Sequence, residues 1–269
     1  MVAVLIGPTL DIVLALEPVR NKQARLLVGE KNVTTDEGEL TAALRLIDRL
    51  HAVYGSFIDA MVFDGLYPNG PILTKLSEYK YGAFIVLRHD NHEPLKEALA
   101  LWRNQPPCLM VEDKEKKEHI EFWDVDDIET LDTYKGKIRV FRAKISHPHH
   151  EQRTWCAAVI GHRARSSPLP FALKALRARW HIENTAFHQW VSYWNFNHVF
   201  HHTPNAVMAV LLIWSLVFNV LQLFVYRRLK RPRRPKDPTY TIRHIVEVML
   251  RDIASLPHPI PWVELIDSS

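Results

Sequence analysis

The stretch from Leu173 to Trp194 places the strongest local constraint on this chain. Its apolar residues Leu173, Leu176, Trp180, Phe187, Trp190 and Trp194 recur three, four or seven positions apart, a spacing that predicts one long amphipathic helix. At about 100° per residue, Glu183 falls inside that apolar stripe, between Trp180 and Phe187. A carboxylate there faces the core, and burying it unpaired costs on the order of several kcal/mol. Either a cation or a metal therefore sits against it, or the helix reading is wrong. Arg179, one turn earlier, lies at the edge of the same face. A buried Arg179–Glu183 ion pair that only fixes the fold and a functional site meet that requirement equally well.

The rest of the chain supplies alternating helices and strands. Val2 to Ile6 and Leu10 to Leu16 are apolar runs joined by Gly7-Pro8 and read as a hairpin, with Asp11 at the entry of its second strand. Glu39 to Tyr54 carries Leu40, Leu44, Ile47 and Leu50 on one face and reads as a helix ended by Gly55. Phe57 to Phe63 reads as a buried strand that delivers Asp64-Gly65 at its carboxyl end. Leu66 to Tyr81 comes next as a helix capped by Gly82, and Ala83 to Leu87 as the next strand. This order is an α/β pattern, and in such folds ligands bind at the carboxyl ends of strands. Asp64 is thus the second carboxylate of interest, although Asp-Gly also opens ordinary turns.

From His89 to Pro168 the pattern turns to strands, at Ile120 to Val125, Ile138 to Ile145 and Thr154 to Ile160, with a solvated mixed-charge turn at Glu112 to Glu118. The chain divides on this reading into 1–88, a first core portion; 89–168, a β-rich insertion; 169–229, carboxyl-terminal core helices; and 230–269, a basic extension. His147, His149 and His150, and likewise His198, His201 and His202, lie in loops without complementary ligand spacing and read as surface histidines.

Two cysteines, Cys108 and Cys156, give neither a disulfide framework nor metal spacing, which fits a reducing cytoplasm and two small buried hydrophobes. Nine glycines and no glycine-rich phosphate motif argue against a nucleotide cofactor. The formal charge is only +4, but seven cations fall between Arg227 and Lys236 with no acid among them. Arg227, Arg228, Lys230, Arg231, Arg233 and Arg234 suit a phosphate backbone or anionic lipid headgroups. Just before them, Ala206 to Tyr226 is apolar almost all round and long enough to cross a bilayer, so a single-pass anchor is an alternative. Ser215, Asn219 and Gln222 recur at helical spacing and favour instead a central helix of a soluble core, with no membrane partner.

Several of these features occur in an order that resembles the catalytic core of DDE transposases from bacterial insertion sequences. They are Val62-Phe-Asp-Gly-Leu-Tyr67 with Gly70-Pro71, a strand ending in Arg88, a β-rich insertion, and Arg179-Trp-His-Ile-Glu-Asn184 with Phe187. His198-Val-Phe-His-His-Thr-Pro204, the long apolar helix and the arginine-rich run extend the likeness over roughly residues 10 to 235. The resemblance implies an α/β fold of the ribonuclease-H-like type, a mixed sheet flanked by helices and interrupted by the β-rich insertion. It also implies DNA transposition in the bacterial cytoplasm, with double-stranded DNA (terminal inverted repeats and target) as partner and a homodimer on paired ends. In the family two Asp and one Glu hold a pair of divalent cations, Mg2+ or Mn2+. Asp64 matches the second Asp, Glu183 the Glu, and Arg179 the arginine of the family's Tyr-Arg-Glu-Lys signature, where it contacts phosphate.

The departures from the family are specific. Leu176 stands at the Tyr position and Trp190 at the Lys position, and no residue matches the first Asp, since Asp11 comes too late in the family's order. The expectation is a carboxyl-terminal, truncated portion of such an enzyme that binds metal weakly and does not cut DNA. The alternative is a non-catalytic DNA-binding relic.

Overall fold

A computed structural model describes residues 1–7, 10–88, 92–129, 133–193 and 203–226, together with 247, 248 and 251. Its first elements are β1 (Val2–Ile6) and β2 (Asp11–Leu16), an antiparallel hairpin that forms a two-stranded sheet of its own. The short α1 (Lys22–Leu27) is next, capped by the Asn21 side chain, which accepts from the Ala24 N–H. Then comes α2 (Glu39–Tyr54), which buries Ala43, Leu46, Ile47 and Leu50 along one stripe and ends at Gly55, as its periodicity predicts.

The main sheet begins with β3 (Ala60–Phe63), shorter than the apolar run around it because Gly55–Phe57 closes as a single 3-10 turn. Next is α3 (Gly70–Glu78), whose start is set by Asn69 accepting from the Ile72 N–H and by Pro71 in its first turn. This helix is shorter than Leu66 to Tyr81, since Pro68 and the Asn69 cap delay its beginning. Gly82 does not cap it but opens β4 (Gly82–Leu87), which pairs parallel to β3. After α4 (Glu93–Trp102) come β5 (Leu109–Asp113), β6 (Glu118–Ile128), β7 (Ile138–His147) and β8 (His150–Ile160).

These last four strands extend the same sheet, in the order β3-β4-β8-β7-β6-β5, because β8 hydrogen-bonds antiparallel to β4. The molecule is thus α/β, with a mixed six-stranded sheet flanked by helices. All six residues of β4 are buried, as a strand covered on both faces requires. Ala83, Ile85 and Leu87 face α2, α3 and α4, in a cluster with Ile47, Leu73, Leu76, Leu95 and Trp102. Phe84 and Val86 face the opposite layer, α5 (His162–Arg165) and α6 (Leu169–Ala178), through Ala164, Leu169, Leu173 and Leu176. Gly161 makes the turn from β8 into α5 at φ +80, and a Cβ there would lie 2.6 Å from the Gly82 backbone.

Beyond α6 the helix is not the single regular one that the apolar stripe predicts. A turn at Arg179 leads into a π-helical segment, Ile182–Phe187, and then into α7 (His188–Tyr193). A π turn inserts one residue into the helical register and rotates the turns before it against the turns after it by roughly 100°. Trp180 is accordingly 43% exposed, while Trp190, only 1% exposed, packs with Val13, Leu16 and Phe218 in a separate cluster under the hairpin. Trp194 lies outside the described residues.

The last described element is α8 (Pro204–Phe224). The expectation of a central, core-buried helix is corrected here: only 22% of its most apolar window is buried. Its polar residues do turn inward as their spacing predicts. The Asn219 side chain accepts from the Val13 N–H and donates to the Val13 carbonyl, each at 2.8 Å, and Gln222 donates to Gln189. The apolar residues of the other face turn outward. Cys108 is also exposed rather than buried, with its thiol donating to the Phe122 carbonyl, and Cys156 is half-buried. Arg227, Arg228, Lys230, Arg231, Arg233 and Arg234, and the histidines 198, 201 and 202, lie outside the described residues.

Candidate functional site

Asp64 leaves the carboxyl end of β3 and is turned back by the Gly65 N–H, which donates to Asp64 Oδ1 at 2.7 Å. The turn is held tightly against β4: a Cβ on Gly65 would meet the Val86 carbonyl oxygen at 3.1 Å and the Arg88 side chain at 3.2 Å. Because β3 and β4 run parallel, Arg88 emerges beside Asp64 at the same end of the sheet. Its Nη2 sits 2.9 Å from Oδ1 and 3.1 Å from Oδ2 of that carboxylate.

Across from them, α6 ends at Arg179, and here the pattern of burial is the reverse of the one the helical wheel predicts. Arg179 is the buried partner, with its side chain 10% exposed, whereas Glu183 is 47% exposed. The turn at 179 and the π segment explain the exchange, since they swing Glu183 out of the apolar stripe to the rim. Arg179 Nη1 donates to Glu183 Oε1 at 2.9 Å and lies 3.5 Å from Asp64 Oδ2. One guanidinium therefore ties together the two carboxylates singled out in the sequence. Its plane also lies over the Trp180 ring, 5.0 Å from the centroid. Its Nε is buried and has no hydrogen-bond partner among the described residues.

A cleft of about 630 Å³ opens beside this group, lined by Arg88, Arg142, Arg179, Trp155, Trp180 and Cys156 among others. Arg142 was not evident in the sequence, because it sits mid-strand on β7 with no motif around it. It stacks over Trp123 at 3.9 Å and Trp102 at 5.5 Å, and its buried Nε also has no hydrogen-bond partner among the described residues. Three cations and two indoles thus converge on one concave surface, and the carboxylates stand at its edge. Below Asp64, the phenol of Tyr67 is pushed up to about 12 by burial, with the Glu39 and Asp64 carboxylates adding to the effect.

Asp64 and Glu183 are oxygen donors of the type Mg2+ or Mn2+ takes, and such ions are commonly held by one or two carboxylates with water and substrate phosphate completing the shell. In the geometry described, Arg179 occupies the position between them. Among the described residues no group of three His, Cys, Asp or Glu side chains converges as a metal cage. Asp11 is buried at the start of β2, with Oδ2 3.8 Å from His181 Nδ1. His147, His149 and His150 sit at the turn between β7 and β8, with the His147 and His150 rings 4.4 Å apart. Burial, then the neighbouring His150 and His149, lowers the pKa of His147.

No family model matches this sequence, and no curated protein matches it.

Proposed function

We propose that this chain is a DNA-binding protein of the DDE transposase type, with a ribonuclease-H-like core whose second and third acidic positions are Asp64 and Glu183. The observation that carries the reading is the meeting of Asp64, at the end of a parallel strand, with Glu183, on a π-helical turn, through the buried Arg179. The site is one that recognises phosphate: Arg88, Arg142 and Arg179 supply charge-assisted donors, and Trp155 and Trp180 supply stacking surface. The basic run Arg227 to Lys236 adds sequence-independent affinity for a duplex.

In this reading a divalent cation held by Asp64 and Glu183 would supply Lewis-acid activation of a DNA phosphodiester. The chain's own residues do the rest. Arg179 releases the carboxylates when phosphate takes its Nη1, while its guanidinium stays over the Trp180 ring. Arg88 holds Asp64 in orientation from the β4 side. Two carboxylates are one fewer than the family's chemistry uses, so this chain binds duplex DNA without cutting it.

The test is fluorescence anisotropy with a labelled duplex over a salt series, together with a Mg2+- or Mn2+-dependent nicking assay. Affinity that falls steeply with salt, and falls further in Arg179→Ala, is the expected result. Absence of salt-dependent DNA binding would defeat the reading. Nicking that disappears in Asp64→Ala would overturn the inactivity while keeping the family.

A further inference from the structure

The helix α8 is assembled inside out. Leu212, Ile213, Leu216, Val217, Val220 and Phe224 are each 44% to 64% exposed, and on a helical wheel they share one arc of roughly 140°. Ser215, Phe218, Asn219 and Gln222 occupy the other side and meet the hairpin and α7. The double hydrogen bond from Asn219 to the Val13 backbone fixes the rotation of the helix about its axis. Rolling the apolar arc inward would leave the Val13 backbone N–H and C=O without these partners, and unpaired buried backbone groups are unfavourable. The outward arc is thus a standing feature of the fold, and a contiguous apolar patch of this kind marks a surface that something covers.

The chain itself carries a segment that fits. Past Tyr226 it runs on to Ser269, and there Ile242, Ile245, Val246, Met249, Ile253 and Leu256 recur three and four apart. On a wheel they fall within roughly 100°, opposite Arg243, Glu247 and Arg251. Of these, Glu247 and Arg251 are described, and both are helical and exposed. The intervening Arg227 to Thr241 contains three prolines and seven cations, a composition that disfavours a continuous helix. Its fifteen residues span up to ~50 Å when extended. The 21 residues of α8 measure about 31 Å, so the linker can bring the segment back to any point along the helix.

We propose that residues 242–256 dock along the outward face of α8, apolar stripe against apolar stripe, as an antiparallel helical hairpin within one chain. A second copy of the chain and an anionic lipid surface are the competing occupants. This inference does not depend on the DNA-binding reading.

The experiment uses the full chain with Cys108→Ser and Cys156→Ser as background. Leu216→Cys is combined in turn with Ile245→Cys, Met249→Cys, Ile253→Cys or Leu256→Cys, and, as polar-face controls, with Glu247→Cys or Arg251→Cys. The expected result is a disulfide at monomer mass for one or two neighbouring apolar-face positions and for neither control. Crosslinks only at dimer mass would assign the face to a second copy and overturn the proposal, as would equal yields from both faces or none from either. A second readout needs no crosslink: Met249→Asp should raise binding of a hydrophobic dye several-fold, while Ser255→Asp should not. If the unsubstituted chain instead sediments with phosphatidylglycerol vesicles and Leu216→Asp releases it, a lipid surface is the occupant and the proposal fails.

Discussion

Two groups of arginines and carboxylates in this molecule are built from the same side chains with burial reversed. At the base of the hairpin, Glu17 and Glu37 are the buried partners, 2% and 3% exposed, and Arg45 and Arg49 cover them from a more open position. Arg45 donates to Glu17, to both oxygens of Glu37 and to the Pro18 carbonyl, while Arg49 donates to the Leu16 carbonyl. At the end of β3 the arginine is the buried member, and Asp64 and Glu183 face the cleft, 33% and 47% exposed. The first arrangement closes every carboxylate with a dedicated donor. The second leaves acidic oxygens at a solvent-open rim and a buried guanidinium nitrogen unspent. That difference separates a group that ties loops together from one that can exchange partners.

The largest expected effect is on the closed group. Arg45→Ala leaves buried Glu37 with only the Arg20 N–H and Glu17 with only Arg49 and the more distant Arg20, and should lower stability by about 3 kcal/mol, read from urea denaturation. A loss near the exposed-pair level, under about 1 kcal/mol, would show that the hairpin group is not the fold-fixing one and would dissolve the contrast.

At the open group the same kind of change should be felt in binding more than in stability. Arg179→Met keeps the aliphatic packing and removes the charge, so unfolding should move by about 1 kcal/mol while duplex affinity falls roughly tenfold, the size of one lost charge-assisted hydrogen bond. Asp64→Asn and Glu183→Gln should be milder still for the fold, within about 1 kcal/mol, because these carboxylates keep much of their hydration. Titration of the unsubstituted chain with Mn2+, monitored by calorimetry or by the relaxation of water protons, should show weak binding that either substitution removes. If both substitutions destabilise the chain as strongly as Arg45→Ala, the open group is a structural one.

The same divide separates the places where sequence reasoning succeeded from those where it failed. Regular periodicity located α2, the hairpin and strands β4, β6, β7 and β8, since burial on one or both faces leaves a readable trace. It also picked out Asp64, whose place at a strand end depends on local order alone. Glu183 was found for a reason that the structure reverses. A π turn leaves the residue spacing unchanged while altering the rotation per residue, so a wheel drawn at constant pitch put the carboxylate inside and left Arg179 at the edge. Arg142 and the pairing of Arg88 with Asp64 come from neighbouring strands, and no local spacing encodes them. The outward face of α8 leaves no trace in the sequence, because hydropathy measures how apolar a helix is and not which neighbours it finds.

The smallest effect sharpens the contrast by pH. The Glu37 carboxyl is subject to burial, which works to raise its pKa. The hydrogen bonds and charge of Arg45, and the Arg20 N–H, outweigh that and hold it below its ordinary value of 4.5. With the folded pKa the lower of the two, the unfolded chain takes up the proton first as the medium is acidified. The stability contributed by Glu37 is thus fully present above its ordinary value and drains away as pH falls through the depressed one. Unfolding free energy measured from about pH 6 to about pH 3 should therefore decline in the unsubstituted chain and decline less steeply in Glu37→Gln, which has no proton to bind there. Parallel curves for the two proteins would mean that the Glu37 carboxylate gains nothing from Arg45 on folding, and the closed group would then owe its order to packing alone.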